Sequence, residues 1–107
     1  MTGPHSRAQL FRMEEAHRQV QRQLDMIDRQ ITRRMTALIP RLHPRQSTYR
    51  RGKPPDPGAF LERYRANLAA VTAEHQPEID ALSRKLAWQE SAIRALRAQL
   101  QSQELCA

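Results

Sequence analysis

Between residues 10 and 38 the chain repeats an apolar step that only one kind of backbone can use. Leu10, Met13, Val20, Leu24, Ile27, Ile31 and Leu38 recur at alternating intervals of three and four, with His17 and Arg34 at the two remaining positions of the series. Such a period places one stripe along one side of an α-helix, and no strand sorts its side chains this way. The pattern predicts a helix over 7–39, roughly 50 Å long at 1.5 Å per residue. Four heptads in succession belong to coiled-coil packing more than to a globular core. Met35 and Ile39 widen the stripe near its end. Ahead of it, Gly3 and Pro4 predict a flexible N-terminus over 1–6, with Ser6 as a candidate cap.

Pro40 and Pro44 mark the expected end of this helix. Residues 40–56 then form a basic, proline-rich linker: Arg41, Arg45, Arg50, Arg51 and Lys53 precede its first acid, Asp56. Asp56 followed by Pro57 has the form of an N-cap with proline at the first helical position. Leu61, Tyr64, Leu68, Val71 and His75 continue one heptad phase, and Ile79, Leu82, Leu86, Gln89, Ile93, Leu96 and Leu100 run in another. The two phases join by two steps of four, a stutter, and Pro77 stands at the join. Its missing N–H and its ring against the carbonyl of Ala73 predict a kink or a break.

The expected fold is therefore all-α. It is a long helical hairpin or a three-helix coiled-coil arrangement, with a second helix over 57–76, a continuing kinked or third helix over 77–103, and a frayed C-terminus over 104–107. Composition agrees, because 14 alanines and three glycines suit helices better than sheets. Helices of unequal length leave apolar seam uncovered, so self-association is expected, most simply as a dimer. The seam residues assigned to it are Leu24, Ile27, Ile31, Leu82, Leu86, Ile93, Leu96 and Leu100.

Charge narrows the partners without choosing among them. The net charge is +7. Residues 1–56 hold 12 bases and five acids, whereas 57–107 hold six of each, so the whole excess lies in the first half. Nucleic acid, an anionic surface and an acidic protein all answer to such a charge. Arg18, Arg22, Arg29 and Arg33 fall within about 60° of one another around the first helix, as a ridge roughly 22 Å long. The linker bases Arg41, Arg45, Arg50, Arg51 and Lys53, with Tyr49 available for stacking, form a second candidate phosphate contact. Trp88 lies one step off the second seam, on the side of Ala81, Ala92 and Ala95, and is the candidate anchor for a protein partner.

No run approaches 18 consecutive apolar residues, so integral membrane association is not expected. Cys106 is the only cysteine, and the expected compartment is reducing and cytoplasmic. His5, His17, His43 and His75 lack metal-ligand spacing, and neither a metal nor a cofactor is expected. No phosphate-binding glycine loop, zinc-protease motif or nucleophile triad is present.

The stretch Leu24-Asp25-Met26-Ile27-Asp28-Arg29-Gln30-Ile31 resembles the first helix of the all-helical chorismate mutases. The resemblance implies arginines before and after it that face a buried anionic pocket, for which Arg18 or Arg22 and Arg33 or Arg34 are the available residues. The basic, proline-rich linker departs from that family's short connection, and the Leu-Asp-x-Ile-Asp pattern also suits any amphipathic helix. The expected function is non-enzymatic: a helical adaptor or assembly subunit that binds itself and a helical protein partner. The alternative is a small dimeric nucleic-acid accessory protein that contacts phosphate through its linker.

Overall fold

A computed structural model of the chain describes residues 4–42 and 57–106. They form two α-helices and no strand, the all-α helical-hairpin class. Helix α1 spans Pro4–Leu42 (39 residues) and α2 spans Pro57–Cys106 (50 residues). The linker positions 43–56, among them Arg45, Tyr49, Arg50, Arg51 and Lys53, lie outside the described residues, as do 1–3 and 107.

Both helices extend past the limits predicted for them. Helix α1 opens at Pro4, so Ser6 stands inside its first turn and is not the residue before it. Proline suits a first turn because the N–H it lacks would have no partner there. At the other end α1 passes through Pro40 and stops at Leu42. Helix α2 likewise runs through Pro77 as a single helix, so the arrangement of two helices meeting near residue 76 is not the one adopted. Both prolines are exposed, as are Thr36 and Ala73, the residues four positions earlier. Water can therefore bond the carbonyls that each proline leaves without a helical donor. Helix α2 continues to Cys106, past the limit of 103 that its heptads predict.

Among the described residues the chain divides into two compact units. One joins 4–26 to 78–106, and the other joins 27–42 to 57–77. In the first unit the segments are antiparallel. As the α1 partner advances from Arg7 to Glu14 to His17, its α2 partner retreats from Glu104 to Arg97 to Glu90. Val20 and Ile93 are its buried apolar residues, and Gln89 is buried beside them in the α2 stripe.

The second unit is a helical hairpin with a fuller core: Ile27, Ile31, Met35, Leu42 and Val71 are buried. Two of its features depart from the heptad reading. Met35 is 3% exposed and takes the seam position assigned to Arg34, whose side chain is 48% exposed and pairs with Glu74. A guanidinium at that contact would lose its hydration, whereas one step round the helix it keeps water and gains a carboxylate. Leu61 is exposed, and half-buried Phe60 takes its expected place, its ring 6.4 Å from that of Tyr64 at 28°. Arg63 closes the hairpin, because its Nε and Nη2 donate to the carbonyl of Leu42 at 3.2 and 2.8 Å. That charge-assisted pair satisfies an end carbonyl that α1 itself cannot.

Ile27→Ala and Met35→Ala should each destabilise the protein by ~2–4 kcal/mol, the usual range for emptying a buried site. Met26→Ala, at an exposed neighbour, should change it by less than ~0.5 kcal/mol. Urea unfolding followed by circular dichroism measures both, and equal effects would place residues 27–35 outside any core.

Candidate functional site

The first unit carries two distinct flanks beside its buried strip. On one, Glu14, His17 and Arg18 of α1 face Glu90, Ile93, Arg94 and Arg97 of α2 across a cleft of about 290 Å3. Its polar groups largely satisfy one another. Arg97 donates to Glu14, and His17 Nε2 lies 3.1 Å from Glu90 Oε1. Arg18 reaches outward to Glu15 through Nε at 3.1 Å and Nη2 at 2.7 Å. These are interhelical and intrahelical pairs of the kind that set register between helices. His17, a polar seam position in the sequence, is half-buried and takes part in that pairing.

The other flank is apolar. Met13 and Ala16 of α1 and Trp88, Gln89 and Ala92 of α2 line a groove of about 150 Å3. Trp88 is 74% exposed, so the residue assigned to partner binding stands on the surface of its own unit. Gln89 is 9% exposed, and its Oε1 accepts no hydrogen bond among the described residues. The periodicity marked Gln89 as a seam position and gave no sign of the unmet acceptor.

The residues assigned to self-association divide by depth. Ile27, Ile31 and Ile93 are buried, whereas Leu24, Leu82, Leu86, Leu96 and Leu100 are only half-buried. One helix can cover one side of a stripe, and a residue at the stripe's edge keeps part of its surface in water.

The arginine ridge also divides. Arg18 and Arg22 share Glu15, with Arg22 Nη2 donating to Glu15 Oε1 at 3.0 Å. The hydrogen bond from Arg18, then the charges of Arg18 and Arg22, hold the Glu15 carboxyl below its ordinary value. Arg29, Arg33 and Arg41 are exposed and make no ion pair among the described residues. Arg18, Arg22, Arg33 and Arg34 are all exposed, so they do not form the buried anionic pocket that the chorismate mutase resemblance implies.

In the second unit, Arg34 donates to Glu74. That hydrogen bond and the charge behind it lower the Glu74 carboxyl from 4.5 and raise the Arg34 guanidinium. Among the described residues no three His, Cys, Asp or Glu side chains are placed to hold a metal ion, and no helix is long and apolar enough to cross a membrane. Comparison of the chain with protein-family models, curated proteins and solved structures finds no match.

A carboxyl whose pKa is lowered by folding contributes stability above its ordinary value, and that contribution disappears as pH falls through the lowered one. For Glu74 the ordinary value is 4.5. Glu74→Gln should therefore melt below wild type near neutral pH, and the two melting temperatures should converge as pH falls below 4.5. Thermal melts across pH test this, and a constant gap down to the most acidic sample would exclude Glu74 as the titrating partner.

Proposed function

We propose that this chain is a non-enzymatic helical adaptor or assembly subunit that binds itself and a protein partner through the coiled-coil surfaces of its helices. The observation that carries the reading is the shallow cover of the α2 seam. Leu82, Leu86, Leu96 and Leu100 keep heptad spacing over five turns and are only half-buried against α1. A further helix laid on that edge would remove the remaining apolar surface from water, at about 25 cal/mol for each Å2 covered. A second copy brings such helices in antiparallel pairs, the arrangement of a four-helix bundle.

Light scattering over a concentration series should give a dimer or larger species for wild type. Leu86→Arg with Leu96→Arg should give the monomer mass, because two charges at the contact cannot be buried unpaired. A wild-type monomer at every concentration, with cooperative unfolding, would overturn the self-association.

A second reading rests on Arg29 and Arg33. They are one turn apart on the same side of α1, exposed and without an acid partner among the described residues. With Arg41 and the linker bases they offer phosphate contacts for a small nucleic-acid accessory protein. Replacing Arg41, Arg45, Arg50, Arg51 and Lys53 by Gln should then leave helicity intact. It should weaken duplex binding equally across sequences and reduce the salt slope by about 1 per lost contact. Fluorescence anisotropy at several salt concentrations measures this, and identical slopes for the two proteins would remove the linker from any nucleic-acid role.

A further inference from the structure

The apolar flank of the first unit is built differently from a solvated helix surface. Ala81, Trp88, Ala92 and Ala95 fall within about 60° of one another on α2, to one side of the Leu82–Leu100 seam. Three small residues around one large one let another helix approach closely and seat against the indole. Trp88 stands 74% exposed at the edge of the groove that Met13, Ala16, Gln89 and Ala92 line with it. Gln89 is nine-tenths buried there, and its Oε1 has no donor among the described residues. A buried acceptor left without a donor is an uncommon feature in a native fold. The amide turns about a soft, roughly two-fold torsion, so a donor entering the groove can reach its oxygen.

The carboxylates adjoining the groove in sequence, Glu14, Glu15 and Glu90, are paired with Arg97, Arg18 and His17, so the unpaired charges beside it are cations. Arg84 and Lys85 stand one turn before Trp88 on α2, and Arg12 adjoins Met13 on α1. All three are exposed, none has an ion pair among the described residues, and no carboxylate lines the groove. We propose that this groove docks an acidic amphipathic helix of another protein, with an apolar anchor against Trp88 and carboxylates toward Arg12, Arg84 and Lys85. The inference rests on the adaptor reading and gives its partner a surface and a chemistry. A second copy of the chain fits the groove less well, since its matching face brings the same three cations. A single-stranded nucleic acid matches the charge and can stack on Trp88, but it leaves Met13, Ala16 and Ala92 without apolar cover.

Trp88 is the only tryptophan, so its emission reports the groove directly. The full chain is titrated with two synthetic helices of identical Leu/Ala face, one flanked by Glu and one by Lys, and with a single-stranded oligodeoxynucleotide. The Glu helix should shift the emission to the blue and bind at least about tenfold tighter than the Lys helix. Arg84→Glu with Lys85→Glu should reverse the preference, and Ala92→Arg should abolish binding by filling the groove, with wild-type helicity in both. Equal binding of the two helices, no binding of either, tighter binding of the oligonucleotide, or a blue shift produced by raising the protein concentration alone would each overturn the proposal. Light scattering on the same samples separates the two readings. Lost Glu-helix binding with the oligomer intact overturns the groove alone, and Glu-helix binding to a stable monomer overturns self-association alone.

Discussion

A helix can hide only the part of its apolar stripe that another helix covers, and this one-sided cover governs both units. Where α1 and α2 face each other, Val20, Ile27, Ile31, Met35, Val71 and Ile93 lose nearly all contact with water. One step to either side, leucines of the same stripe keep part of theirs. Polar pairs then occupy the boundary. Glu14 with Arg97 and His17 with Glu90 mark it in the first unit, and Arg34 with Glu74 marks it in the second. These exposed pairs contribute little energy singly. Their value is directional, because a shift of α2 by one residue would separate each pair and turn every seam side chain out of line.

How much of this could be read from the residues depends on what each signal measures. Apolar periodicity reports which side of a helix is buried, and it located Ile27, Ile31, Val71 and Ile93. It is blind to small rotations of the stripe. Arg34 and Met35 differ by 100° around the helix, and only the cost of desolvating a guanidinium decides between them. The same holds for Leu61 and Phe60, where the ring contact with Tyr64 favours the aromatic residue. Trp88 was legible as an off-seam residue, but the groove beside it was not. That groove needs Met13 and Ala16 from a segment more than 70 positions away, and no local pattern records which α1 residues stand opposite.

The prolines show a different gap between local rule and fold. Pro40 and Pro77 each remove a helical hydrogen bond, and the expected cost in a helix interior is about 3 kcal/mol or more. The rule assumes that the orphaned carbonyl has nowhere to turn. Here both rings and the residues one turn before them are exposed, so water has access to the turn that loses its bond. Burial on the opposite side of the same turn holds the backbone helical: Leu42 is buried two residues after Pro40. Position around the helix, and not the proline alone, decides whether the helix ends.

Charge separates the surfaces in the same way. An arginine beside a glutamate is partly offset by its neighbour, as Arg18 and Arg22 are by the one Glu15 they share, and what is left is screened beyond a Debye length. An arginine or lysine with no such neighbour keeps its attraction for a ligand. Among the described residues two groups that meet that condition stand in contrast, the Arg29–Arg33 side of α1 and the Arg12, Arg84 and Lys85 cations beside the Trp88 groove. The first adjoins no apolar hollow, so it suits a partner held by charge alone, with strong salt dependence. The second borders Trp88 and an unmet acceptor, so a partner there gains apolar burial and a hydrogen bond as well. Added salt would weaken such a contact only in part, because the apolar share of the binding does not depend on counterions.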